Sequence, residues 1–171
     1  YFGVYDRAVG AGSEVQLFGP GDAAGSAVTL SLSDNGAGGF NVERNHADTG
    51  IDFADNQFGY YLALDPDFVN VFYSDSTMNE ASGVDHMVAY QGPGGDVVQL
   101  PSRPAGEWTP AEYVLAWEDA TRLRTAGADD ADYADFIVMV ESVQPVPEPS
   151  SIALLSLGLV GLLIRPSRKR N

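Results

Sequence analysis

Four of seven consecutive residues are aspartates in Asp129-Asp130-Ala131-Asp132-Tyr133-Ala134-Asp135, and Glu118-Asp119 stands about ten residues earlier. No Arg or Lys occurs between Arg124 and Arg165 to offset these charges locally. Carboxylates crowded this closely repel one another, and a hard cation is what such a set can hold. Ca2+ takes six to eight oxygens, and short Asp side chains on a turn converge on an ion without long, floppy stems. Glu118, Asp119, Asp129, Asp130, Asp132 and Asp135 are therefore the candidate metal ligands, with Ca2+ the expected cofactor. Asp135 occupies the sixth place counted from Asp130, where an EF-hand loop needs Gly, so the segment is not an EF-hand. The competing reading is a solvated acidic turn whose side chains cap backbone N–H groups.

Other chemistries find less support. The chain has no cysteine, which excludes a disulfide framework, a Cys-ligated zinc site and a thiol nucleophile. His46 and His86 are forty residues apart with no His-x-x-x-His, a poor start for zinc, and His86 reads as a hydrogen-bonded structural histidine. Neither a Gly-x-Ser-x-Gly elbow nor a phosphate-cradling Gly-x-x-x-x-Gly-Lys is present. Glu118 beside Trp117 is the nearest thing to a general acid, but among 24 acids some such placement arises by chance. No catalytic residue is assigned, and a non-catalytic protein is expected. Asp65, Asp67, Asp75 and Asp85 read as loop aspartates. Tyr60, Tyr61 and Trp108 are the candidates for stacking on sugar rings, the basis of a second reading as a carbohydrate-binding module for an exopolysaccharide matrix.

The elements that must position these groups read as strands. Glu14–Phe18, Ala27–Ser33, Gly39–Val42, Phe58–Leu64, Val69–Tyr73, His86–Tyr90, Val97–Leu100, Tyr113–Trp117 and Phe136–Val143 are short and rich in Val, Tyr and Phe. Clusters of Gly, Asp, Asn and Pro separate them. The expected fold is all-β, a β-sandwich of jelly-roll type over residues 1–143. Hydrophobic residues make up 44% of the 171, enough for a core without staples.

Charge is distributed unevenly. Residues 1–149 hold all 24 acids against five Arg and no Lys, a formal net of −19. Nucleic-acid binding is excluded on that ground, because neutralising phosphates takes clustered Lys and Arg. The remaining basic residues, Arg165, Arg168, Lys169 and Arg170, crowd the last seven positions. Before them lies an uncharged apolar run, 150–164, and before that a Pro-rich linker, 144–149. As a helix the run would measure roughly 22 Å, short of the ~30 Å hydrocarbon core but able to span with snorkelling of the flanking basic side chains. The expected order is a sandwich domain, a linker, a single short C-terminal transmembrane helix (150–164) and a basic cytoplasmic tail (165–171).

Val146-Pro147-Glu148-Pro149-Ser150-Ser151, the apolar run and the Arg-rich terminus together resemble the bacterial PEP-CTERM sorting signal. That resemblance implies a protein exported across a Gram-negative envelope and handled by a membrane-embedded exosortase that reads Pro147, Glu148 and Pro149 and removes the tail. It also implies display at the cell surface or in an extracellular matrix of exopolysaccharide and biofilm. A chain beginning at Tyr1 is then expected to be a processed product or to lack its leader. Separately, Asp85-His86, Trp117-Glu118-Asp119 and Asp130-x-Asp132-Tyr133-x-Asp135 resemble, in that order, an Asp-rich bacterial surface domain of unknown function, with Ala134 where its hallmark has Asn. A third reading is a self-assembling matrix subunit, opposed by the −19 charge unless cations screen it.

Overall fold

The computed structural model describes residues 1–79, 84–119 and 133–144. These residues form twelve strands and one short 3-10 turn, Ser76–Met78. The strands are β1 (Phe2–Asp6), β2 (Val15–Phe18), β3 (Leu30–Asp34), β4 (Phe40–Arg44), β5 (Ala47–Phe53) and β6 (Phe58–Ala63). They continue with β7 (Val71–Tyr73), β8 (Met87–Gln91), β9 (Asp96–Val98), β10 (Gly106–Trp108), β11 (Glu112–Trp117) and β12 (Phe136–Glu141). All pairings are antiparallel. The sheets run β2-β1-β6-β7, β3-β4-β5 and β12-β11-β8, with β9 and β10 forming a separate hairpin.

Period-2 alternation aims one side of each sheet at a shared interior. Phe2, Val4, Val15, Leu17, Leu62 and Phe72 from the four-stranded sheet meet Val42 and Phe53 from the second, and Leu115 and Trp117 from the third. Phe2 sits at the centre, edge-on to Trp117 at 6.1 Å and 5.2 Å from Phe136. Aromatic pairs of this kind add about 0.5–1.5 kcal/mol each beyond their buried area. The all-β architecture and shared core are consistent with a β-sandwich. Arg44 on β4 ties two sheets together, its Nε and Nη2 both donating to the Leu17 carbonyl on the outer edge of β2.

The other face of the four-stranded sheet is closed by its own tyrosines. Tyr5, Tyr61, Ala63 and Tyr73 form a second, smaller core. Register places Gly59 opposite Tyr5 and Gly3 opposite Tyr61, and a Cβ on Gly59 would run into the Tyr5 ring. The glycines are the beds on which the rings lie. Between β4 and β5, Asn45 and His46 both have positive φ, 52° and 64°. That is the type I′ geometry whose twist matches the strands it joins, so His46 is a turn residue.

Strands β1, β5 and β10 extend the sequence reading. β1 is buried at every position and shows no polar alternation. β5 (ADTGIDF) is polar and glycine-containing, and its edge position rather than its propensity makes it a strand. The linker from residue 145, the apolar run assigned to a transmembrane helix and the basic tail lie outside the described residues. Among the described residues no helix is long and apolar enough to cross a membrane.

Candidate functional site

The acidic group is built on the ends of three paired strands. β11 lies between β8 and β12, with Trp117 opposite both Met87 and Phe136. Because β11 and β12 are antiparallel, the residues leaving one strand and entering the other come together. Glu118 and Asp119 follow Trp117, and Asp135 precedes Phe136.

Each is held by its backbone. Trp117, fully buried, fixes the end of β11 in the core. The Glu118 amide donates to the His86 carbonyl at 2.9 Å. His86 Nδ1 lies 3.0 Å from the Glu118 carbonyl oxygen, which can only accept, so Nδ1 carries the proton. The imidazole stacks on Phe72 at 4.3 Å and is buried. The Asp119 amide donates to Asp135 Oδ2 at 2.9 Å. Tyr133, in the left-handed region at φ 53°, donates its hydroxyl to the Asp85 carbonyl and ties the approach to β12 back towards β8.

The result is a set of three carboxylates, Glu118, Asp119 and Asp135, each with an oxygen within 4.8 Å of the others. Glu118 is buried, Asp119 half-buried and Asp135 exposed, so the set opens to solvent on one side. Burial, and then the neighbouring Asp135, push the Asp119 carboxyl above its ordinary value. Both causes disfavour the charged carboxylate, burial more than the neighbouring charge, and a nearby cation would favour it. An all-oxygen, anionic donor set is the kind that suits a hard cation. Asp129, Asp130 and Asp132 belong to the same β11–β12 connection and lie outside the described residues.

The other sequence candidates fall elsewhere. Tyr61 is fully buried and tilted against Phe68. Tyr60 is half-buried between Phe2 and Phe58, and burial pushes its hydroxyl up to about 12. Tyr61 is sealed in the second core, and Tyr60 packs against Phe2 and Phe58. Trp108 on β10 is half-buried, its ring close against Gly92. It lies on the separate β9–β10 hairpin, so the three rings do not share one sheet face. Asp65 accepts from the Val69 and Asn70 amides, and Asp75 caps the 3-10 turn while pairing with Arg7 at 3.7 Å. Those aspartates have structural work. Pro147, Glu148, Pro149, Arg165, Arg168, Lys169 and Arg170 lie outside the described residues.

The sequence reading did not single out the outward positions of the β12-β11-β8 sheet, where Tyr90 and Ile137 are exposed, Val88, Val114 and Met139 half-buried and Ala116 buried. Their signal was present: MVAYQ, EYVLAW and FIVMVE are nearly continuous apolar runs. A sheet with one wet face would alternate.

Comparison with the curated proteins and with the solved structures gives no match. Residues 145–169 match the PEP-CTERM protein-sorting motif, and no family matches the rest of the chain. With the linker, apolar run and basic terminus already read there, the C-terminal region is a PEP-CTERM protein-sorting motif, which implies an exported protein sorted to the cell envelope or surface with exosortase as its processing partner.

Proposed function

We propose that this is a non-catalytic surface protein whose sandwich domain is stabilised by Ca2+ at the Glu118, Asp119 and Asp135 carboxylates and displayed at the envelope or in the extracellular matrix. The observation that carries the reading is the convergence of these three carboxylates at one end of β11 and β12. In that role the ion would neutralise carboxylates that otherwise repel. Glu118 and Asp119 would bind from the β11 side and Asp135 from the β12 side, with Asp129, Asp130 and Asp132 available on the connection between them. The site would thus clamp the ends of two strands and of the long connection that joins them. The −19 charge of residues 1–149 suits an exterior where divalent cations are plentiful. Binding to polysaccharide is the weaker reading, since Tyr60 and Tyr61 are committed to packing. Self-assembly into a matrix would need the same cations for screening.

Thermal unfolding of the full chain in Ca2+ and in chelator, at matched ionic strength, is the test. For a site with a Kd near 10 μM, millimolar Ca2+ adds about 2.7 kcal/mol by linkage. A rise in melting temperature that Mg2+ does not reproduce, and that Asp135→Asn removes, supports the site. An equal rise with any divalent salt means that the acids are a solvated surface.

A further inference from the structure

We propose that the free edge of β12 is an interaction surface for a second copy of the chain, the two β12 strands pairing antiparallel about a twofold axis at Met139. Hydrogen-bond parity defines the edge. The Ser142 amide donates to the Ala111 carbonyl in the β11–β12 register, so Phe136, Val138 and Val140 turn their backbone groups towards β11. On the other flank of β11, the Gly92 amide donates to the Glu112 carbonyl, which turns the alternate residues of β11 towards β8 and agrees with that parity. Ile137, Met139 and Glu141 therefore point their N–H and C=O groups away from the sheet. β12 is the last strand of its sheet, and among the described residues none of these groups has a hydrogen-bond partner.

Other edges are blunted, and the contrast gives the open one its meaning. β2 is bulged against β1, and Arg44 occupies its Leu17 carbonyl. β5 is bulged against β4 and exposes Asp48 and Asp52. β7 is three residues long, with the Tyr73 amide and carbonyl taken by Asn79. β12 has none of these devices. It is six residues long, opens with five consecutive apolar residues, and carries one charge, at its last position. β3 and β8 are shorter and hold one β-branched residue between them, Val88, against Ile137, Val138 and Val140 in β12.

Parity and charge select the occupant and its register. An antiparallel copy presents the same donors and acceptors in reverse, so outward residues pair with outward residues. Opposing Met139 to itself sets Ile137 against the second copy's Glu141. The adjacent register, with Ile137 against Met139, would set Asp135 directly opposite Glu141, two like charges. In the Met139-centred register the two Asp135 residues lie about 27 Å apart along the strands, beyond the ~10 Å Debye length at 0.1 M salt. Val138 and Val140, packed at the rim of the core, would each face the other in the second copy, and Ile137, 59% exposed, would gain cover. The joint contains no ion and goes beyond the calcium reading, so either can fail without the other.

The absence of cysteine makes the test direct. Full-length chains in mild non-ionic detergent carry Met139→Cys, Ile137→Cys or Glu141→Cys singly and are oxidised mildly in 0.15 M NaCl. Residues opposed in a hydrogen-bonded pair have Cα atoms about 5.5 Å apart, within disulfide reach, whereas position 137 or 141 would lie about 14 Å along the strand from its own copy. The expected result is that Met139→Cys links into dimers about tenfold faster than either other variant alone. An equimolar mixture of Ile137→Cys and Glu141→Cys should give the mixed dimer as fast as Met139→Cys does. Both positions in the mixture are exposed, so it stays readable if Met139→Cys disturbs the fold. Association through the apolar tail is common to all the variants and cancels in the comparison. Added to Met139→Cys, Ile137→Asp should slow linkage about fivefold by facing Glu141, and Ile137→Lys should not. Equal rates for the three single variants with no preference for the mixed pair would overturn the proposal. So would faster self-linkage at position 137 or 141, or equal effects of Asp and Lys. Folded chains that stay unlinked in every variant would leave the edge to another strand or to none, and overturn it too.

Discussion

A carboxylate that is half-buried next to another carboxylate is a liability until something positive arrives, and Asp119 is in that position. Its carboxyl is raised by burial first and by Asp135 second. The folded protein therefore binds this proton more tightly than the unfolded chain does. Stability falls as pH rises from the ordinary carboxylate value to the raised one, and the penalty is constant above it. Asp119→Asn removes the penalty. In chelator at neutral pH the variant should melt at or above the wild type. Near pH 3, where both states are protonated, the difference should vanish. In millimolar Ca2+ the order should reverse, because the variant has lost a ligand. Melting curves at the two pH values, with and without the ion, check all three signs, and no reversal in Ca2+ would remove Asp119 from the site. Asp6 is the opposite case. It is fully buried, but its carboxylate accepts from the Ala8 and Ala54 amides at 2.7 and 2.6 Å, and its own amide donates to Ser13 Oγ. Asp6→Ala strands two amide donors and should cost about 3 kcal/mol in chemical denaturation, whatever the calcium concentration. The difference between these residues was only half legible in the sequence. Asp119 stood out because acids cluster around it, whereas Asp6 is a lone acid beside Arg7, and nothing local shows that it closes a turn against a loop 48 residues away.

At the scale of elements, strands were legible where apolar and polar residues alternate and hidden where burial or edge position decides. β6 and β11 come within a residue or so of their sequence limits, since aromatic and branched side chains dominate them. β1 was invisible because it is covered on both faces, by the main core on one side and by tyrosines on the other. The tyrosine face itself depends on Gly3 and Gly59, which in sequence look like strand breakers. Gly59→Ala should displace the Tyr5 ring and cost about 1–3 kcal/mol, read from the denaturation midpoint with an unchanged slope. β7 shows how an open edge is closed. Asn79 Oδ1 accepts from the Tyr73 amide at 2.8 Å, and its Nδ2 donates to the Tyr73 and Val84 carbonyls at 3.1 and 3.0 Å. One buried side-chain amide thus stands in for a neighbouring strand, removing backbone groups that another chain could pair with. Asn79→Leu should lower stability by about 2 kcal/mol and also promote association, because it bares the Tyr73 amide and carbonyl. Light scattering distinguishes that outcome from simple destabilisation.

Over the whole molecule, residues 1–149 carry every acidic side chain and the last seven positions a cluster of positive charge. Sequence alone gave this asymmetry, because charge counting needs no fold. What it could not give is direction, that is, which pole of the domain the acids occupy and which sheet faces outward. β11 and β12 supply it by bringing Glu118, Asp119 and Asp135 to the end of the sheet opposite the root of the linker. Two effects of cations then become separable. General screening of the −19 charge should follow ionic strength, since the Debye length falls from about 30 Å at 0.01 M to about 10 Å at 0.1 M. In chelator, the melting temperature should therefore climb gradually as NaCl rises over that range and flatten beyond it. Binding at the carboxylate site should instead saturate at a Ca2+ concentration too low to change ionic strength. With NaCl held near 0.15 M, screening is already largely spent, so a further rise at sub-millimolar Ca2+ reports the site alone. Asp135→Asn should erase that second rise while leaving the NaCl curve in place, because one charge among so many alters the general repulsion little. If the two curves fall together in the variant, the carboxylates act only as part of the surface field, and the calcium clamp is wrong even though Ca2+ stabilises the protein.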